Sequence, residues 1–127
     1  MAEIALAGKR ILLVEDEFFV AMALEELLRS LGCDVLGPVA DLDEALRIAA
    51  GAEIDAAVLD VDVRGRPVFP LAEALAARGI GFVLATGHGA EALPEAYRTV
   101  PRLRKPFQPR ELQAGIAAAL AAARPVP

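Results

Sequence analysis

Six side chains stand at or just after the ends of short strand-like segments: Glu15, Asp16, Asp60, Asp62, Thr86 and Lys105. Four carboxylates, one hydroxyl and one ammonium make a set suited to phosphoryl chemistry. Carboxylates packed together repel one another unless a cation sits among them. Hard oxygen ligands favour Mg²⁺, which takes one or two carboxylates together with water and substrate phosphate. A lysine and a hydroxyl facing the same spot are then left to hold anionic oxygens. Asp60 would attack phosphorus and form an acyl phosphate. The metal and Lys105 would offset charge on the equatorial oxygens. Lys105-Pro106 is an X–Pro bond, the kind that tolerates cis, and a cis peptide there would aim the lysine.

Composition removes most other chemistries. The chain has 127 residues, one cysteine (Cys33) and one histidine (His88). That excludes an internal disulfide framework, a cysteine-rich zinc site and any site needing two histidines. Cys33 reads as a small buried residue, and His88 as a loop residue. A net charge of −5 argues against a nucleic-acid binder, whose affinity rests on Lys and Arg neutralising phosphates. Hydrophobic residues reach 56%, much of it alanine, which is enough for one core without staples. We expect one domain over residues 1–127 with its core from about 9 to 123. The apolar stretch from Ala114 to Ala123 is interrupted by Gly115 and falls short of the roughly 18–20 residues that span a bilayer. The first five residues lack a basic segment followed by an apolar run, so no export signal is read and a cytoplasmic location is expected.

The elements that must position the six side chains can be read from periodicity. Arg10 to Glu15 suits a buried strand. Glu17 to Leu31 is helical, with Val20, Leu24, Leu27, Leu28 and Leu31 on one face and Gly32 as its stop. That face is core and not a dimer zipper, because it lasts too few heptads. Asp34 to Val39 is a second strand, ended by Gly37-Pro38. Asp41 to Glu44 forms a capping box for a helix to about Ala50, which Gly51 closes. Ala56 to Asp60 is a third strand, Pro70 to Arg78 a helix, and Gly81 to Ala85 a fourth strand. Ala90 to Thr99 holds Pro94 and has room for one or two helical turns. Arg102 to Arg104 is a fifth strand, and Pro109 opens a last helix to about Ala123. Strands alternating with helices predict an α/β fold with a parallel sheet and right-handed crossovers. The expected form is a flavodoxin-like, doubly wound, five-stranded sheet with helices on both faces and a short or irregular fourth helix. In such folds the site lies at the carboxyl ends of the strands, where all six side chains fall.

Four segments carry a resemblance. Leu-Val-Glu15-Asp16-Glu17, Val-Leu-Asp60-Val-Asp62, Leu-Ala-Thr86-Gly87 and Arg-Lys105-Pro106-Phe107 resemble the receiver domain of two-component response regulators. The resemblance runs from about Lys9 to Ala123. It implies that Asp60 is the phosphoacceptor, that Asp16 binds Mg²⁺ directly and that Glu15 binds it through water. The backbone carbonyl of Asp62 would complete the protein ligands. Thr86 would hydrogen-bond the phosphoryl group in the active state, and Lys105 would contact it directly. The segments around Phe82–Gly89, Leu93–Tyr97 and Val100–Phe107 are similar to a stand-alone alphaproteobacterial subgroup marked by a Phe-x-Ala-Thr-Gly-x-Tyr-like motif. Its usual partners are HWE-type histidine kinases. Gly87 replaces the alanine usual after the threonine, and Arg102 sits where ordinary receivers carry an aromatic switch residue. Gly89 stands where the subgroup carries an aromatic, unless His88 substitutes for it.

The resemblance implies a phosphoprotein that takes its phosphoryl group from a histidine kinase or a phosphotransfer protein. It would signal by phosphorylation-dependent binding of a downstream protein or by phosphorelay. No DNA-binding or membrane role is expected. Catalysis would be limited to self-phosphorylation and autodephosphorylation. Arg98, Arg102, Arg104 and Arg110 form either a solvated face or an output surface for an acidic partner. A homodimer through the last strand and helix would use the same face. Two alternatives stand beside this. One is a haloacid-dehalogenase-like phosphatase with an aspartyl-phosphate intermediate, but the chain lacks a later acidic pair and room for a cap. The other is a receiver cut from a longer regulator, against which the chain reads as stand-alone.

Overall fold

The structure is a computed structural model that describes residues 6–123. The expectations for residues 1–5 and 124–127 lie outside the described residues.

β1 (Arg10–Val14) is the apolar run Ile-Leu-Leu-Val after one arginine, and all four apolar residues are buried. A run apolar at every position is what a strand needs when both faces are covered. Ile11 and Leu13 point to one layer and Leu12 and Val14 to the other, following the two-residue period of a strand. α1 (Phe18–Ser30) and α4 (Pro109–Ala122) cover the first layer with Leu24, Leu28, Leu112 and Ile116. α2 (Leu42–Gly51) and α3 (Phe69–Ala77) cover the second with Leu42, Ala45, Leu71 and Leu75. Each fully buried leucine or isoleucine contributes about 1.5–3 kcal/mol relative to an exposed one, so the two layers dominate the stability.

The remaining strands are β2 (Asp34–Val39), β3 (Ala56–Asp60), β6 (Gly81–Thr86) and β7 (Arg102–Arg104). Between β3 and α3 lies a two-residue hairpin, β4 (Asp62–Val63) against β5 (Arg66–Pro67). The main sheet has five parallel strands in the order β2-β1-β3-β6-β7, with helices on both faces. The doubly wound expectation therefore holds. The order reverses between β1 and β3, which places the switch point beside the ends of those two strands.

Local differences from the sequence reading have physical causes. Gly37-Pro38 does not end β2 but kinks it. Gly37 sits at φ +118, and a Cβ there would press on the Leu13 carbonyl, where the β1–β2 register shifts. Gly51 is the last residue of α2 and not a left-handed stop, because Ala52 leaves the helix in extended conformation. Asp41 caps α2 by accepting from the Glu44 backbone N–H at 3.0 Å. In place of a full fourth helix stand two 3₁₀ turns, Ala90–Ala92 and Glu95–Tyr97, on either side of Pro94. Tyr97 stacks on Phe69 at 4.7 Å, which pins this irregular segment to α3. The Lys105–Pro106 bond is cis, as expected, and so is Gly37–Pro38.

Candidate functional site

The parallel register brings the strand ends level. Val14 pairs with Leu59 and Asp60 with Ala85, so Glu15, Asp60 and Thr86 emerge side by side at one edge. β7 delivers Lys105 to the same edge, where its backbone N–H donates to the Thr86 carbonyl at 2.8 Å.

Carboxylate oxygens of Glu15, Asp16 and Asp60 all lie within 4.8 Å of one another. Lys105 Nζ donates to Glu15 Oε1 at 2.9 Å and stands 3.5 Å from Asp60 Oδ2. Glu15 is the deepest member, its side chain 1% exposed. Its remaining oxygen accepts from the Glu17 backbone N–H at 3.2 Å. Asp60 accepts from the Asp62 backbone N–H at 3.3 Å. Among the described residues no buried side-chain oxygen or nitrogen lacks a partner.

One ammonium among three carboxylates leaves an excess of negative charge, and Asp60 records it. Burial, then the neighbouring Glu15 carboxylate, push its pKa up to about 7, against the downward pull of Lys105 and the Asp62 N–H. Burial also acts upward on Asp16. Hydrogen bonds from the Arg64 backbone and from Asp60 outweigh it, so Asp16 lies below the ordinary carboxylate range. Burial acts downward on Lys105, but its bond to Glu15 and the field of Asp60 outweigh that and hold it charged. The three carboxylates gathered within 4.8 Å could hold a cation, which would relieve their mutual repulsion. The oxygen-only donor set fits Mg²⁺.

Four of the six expected residues, Glu15, Asp16, Asp60 and Lys105, meet here through their side chains. Thr86 is buried, and its hydroxyl oxygen accepts from the His88 backbone N–H at 3.1 Å. Asp62 has an exposed side chain that does not join the cluster, and its backbone N–H donates to Asp60. His88 is exposed and enters only through its backbone. Arg98, Arg102, Arg104 and Arg110 are all exposed, and Arg98 Nε donates to the Leu93 carbonyl at 3.0 Å.

Two features escaped the sequence reading. The first is the hydrogen bond from Arg64 N–H to Asp16 Oδ2, 2.9 Å across 48 positions of chain. The second is an apolar surface at the start of α1, where Phe18, Phe19 and Met22 are 68%, 82% and 51% exposed. Beside it opens a cleft of about 500 Å³ lined by Phe19, Val20, Leu24, Lys105, Pro106 and Phe107. Phe18 and Phe19 precede the core stripe of α1 and fall outside it, on the side that carries Met22, so the apolar residue types were visible in the sequence but not their exposure. A further cleft, lined by Ile80, Phe82, Tyr97 and Val100, contains none of the carboxylates.

Comparison with known proteins agrees with this geometry. No protein-family model matches the chain. The BeF₃-activated conformation of SdrG from Pseudomonas melonis Fr1 is 43% identical with a TM-score of 0.76, covering 90% of this chain and 98% of that one. The receiver domain of the sensor histidine kinase PA1611 from Pseudomonas aeruginosa PAO1 is 29% identical with a TM-score of 0.73, covering 91% and 99%. In that structure a magnesium ion is coordinated in the active-site cleft. The transcriptional regulatory protein PdtaR of Mycobacterium tuberculosis is 30% identical over 112 residues, 85% of this chain. The chain spans about half the length of this curated relative, 55%.

Proposed function

The chain belongs to the receiver domains of response regulators, and from that premise we propose that it is a phosphoacceptor switch with Asp60 as the acceptor. The observation that carries the reading is the meeting of Glu15, Asp16 and Asp60 within 4.8 Å, with Lys105 Nζ 3.5 Å from Asp60. Glu15, Asp16 and Asp60, with the Asp62 carbonyl, would hold Mg²⁺. The ion would supply positive charge against the phosphoryl oxygens and lower the repulsion between nucleophile and donor.

This chain's own residues do the rest. An Asp60 carboxylate oxygen attacks phosphorus of a phosphohistidine on a partner. A P–O bond forms, the P–N bond breaks, and the imidazole leaves with the electron pair and takes a proton. Lys105 Nζ swings from Asp60 toward the new phosphoryl oxygens, keeping its charge because Glu15 holds it at 2.9 Å. The Thr86 hydroxyl, at the end of β6, turns to donate to the same group and carries the change into the loop beyond it.

The donor would be a histidine kinase, of HWE type if the subgroup likeness extends so far, or a phosphotransfer protein. The exposed Phe18–Phe19–Met22 surface lies beside the Lys105 cleft and suits an apolar helical face on that donor. Output would pass to a downstream protein, with the Arg102, Arg104 and Arg110 face as its docking side. The test is incubation with acetyl phosphate and Mg²⁺ followed by intact mass. One acid-stable, base-labile phosphate is expected, absent in Asp60→Asn. No label, or label retained in that variant, would overturn the reading.

A further inference from the structure

Arg64 is the one non-glycine residue with a positive φ among the described residues, at +52, and Gly65 follows at +78. Together they make the tight turn of the β4–β5 hairpin, a place that favours Asn-Gly or Gly-Gly. An arginine held there has a conformational cost, which persists only where the surroundings impose it. The surroundings are visible on both sides. Val63 and Val68 are fully buried, and Val68 N–H donates to the Val61 carbonyl at 2.9 Å. Val61 N–H donates in turn to the Ala85 carbonyl at 3.1 Å, and Arg66 pairs with Asp43 at 3.2 Å. The hairpin is thus tied to β6 and α2, and its turn points the Arg64 N–H at Asp16 Oδ2, 2.9 Å away. The Arg64 side chain itself is exposed.

We infer that Arg64 is a positioning residue that acts through its backbone, the left-handed turn aiming the Asp16 carboxylate for the cation before it arrives. The inference rests on the phosphoacceptor reading above. An aspartate at a strand end has two free side-chain torsions. A fixed donor on one oxygen removes most of that freedom and holds the carboxylate within 4.8 Å of those of Glu15 and Asp60. Partners of metal ligands act in this way, holding orientation without touching the ion.

The turn, not the guanidinium, is what matters, so the variants separate the two. Arg64→Gly keeps the N–H and favours the turn. Gly65→Val disfavours it through φ alone, since a Cβ at Gly65 meets nothing within 4 Å. Calorimetric titration with MgCl₂ is expected to give Arg64→Gly an affinity within about twofold of the parent and Gly65→Val one about tenfold weaker. Amide exchange in the metal-free protein gives a second readout. Asp16→Ala should speed exchange at Arg64 by about tenfold or more while Val63 and Val68 hold. Two results would overturn the inference with the phosphoacceptor reading intact: Gly65→Val binding Mg²⁺ like a Mg²⁺-binding parent, or Arg64→Gly losing as much as Gly65→Val. An Arg64 amide indifferent to Asp16→Ala would overturn it as well. A parent chain that binds no Mg²⁺ would overturn both.

Discussion

At the residue scale, Asp60 and Lys105 pull the site in opposite directions. The Asp60 pKa is raised from 3.8 to about 7, chiefly by burial and by Glu15. The folded metal-free protein therefore holds a proton there that the unfolded chain has lost. Stability from this group is complete below about pH 3.8 and is lost as pH rises through about 7. Urea denaturation in EDTA should show a decline across that window of roughly 1–4 kcal/mol. Asp60→Asn should flatten it and be more stable than the parent at pH 8, and an unchanged slope would refute the assignment. Lys105 presents the converse case. Its removal leaves Glu15 buried and unpaired, so Lys105→Met should cost about 3 kcal/mol at pH 7, as broken buried pairs do. Adding Glu15→Gln should recover most of that loss, a double-mutant cycle that a solvated surface lysine would fail. These residues were legible from sequence because each stands at or just after a strand end, and parallel strands align their ends. Arg64 was not. Arg-Gly lacks the Asn-Gly signal of its turn, and its partner Asp16 lies 48 positions away.

At the element scale, β1, β3 and β6 were readable from their buried apolar runs and α1 and α4 from their apolar stripes, whereas the edge strands β2 and β7 bury little. The fourth helix was readable as stunted because Pro94 interrupts it. The two-residue β4–β5 hairpin was not, since no periodicity shows in two residues. The start of α4 was read from Pro109 alone, although Glu111 Oε1 also accepts from the Gln108 N–H at 2.7 Å. Packing between α4 and β6 was hidden too. A Cβ at Gly81 would overlap the Ala119 carbonyl, so Gly81→Ala must push α4 off the sheet. It should cost about 1–3 kcal/mol in urea denaturation with an unchanged m-value. The first turn of α1 behaves oppositely. Phe18 and Phe19 touch each other edge to face at 5.4 Å and are mostly exposed, so changing them should spare the fold. Phe18→Ser with Phe19→Ser should leave stability within about 0.5 kcal/mol and acetyl phosphate labelling intact. Transfer from the cognate kinase should fall about tenfold or more if this face seats the donor. Equal losses with both donors would place the effect in the site and not in docking.

For the whole molecule, the site is the seam that joins the two core layers. Glu15 continues β1, Asp60 ends β3 and Lys105 follows β7, so one side-chain cluster ties three of the five strands at one edge, and the Lys105 N–H joins Thr86 at the end of β6 to it. Among the described residues no helix is long and apolar enough to cross a membrane. The charge is unevenly spread along the chain, with acids dominating up to Asp62 and Arg98, Arg102, Arg104 and Arg110 close together near β7 and α4. A cation bound at the seam relieves repulsion that the folded state alone concentrates, and the unfolded chain has no such site. Binding must then stabilise the entire fold and not only the loops around it. At tenfold excess over its dissociation constant Mg²⁺ should add about 1.4 kcal/mol, read as a rise in the thermal midpoint at pH 7.5. The gain should vanish in Asp16→Ala. It should grow with pH as ionised Asp60 becomes cheaper to hold beside the ion, offsetting the decline expected in EDTA. A midpoint that responds equally to Mg²⁺ and to matched NaCl would mean ionic screening alone, and the seam would then hold no cation.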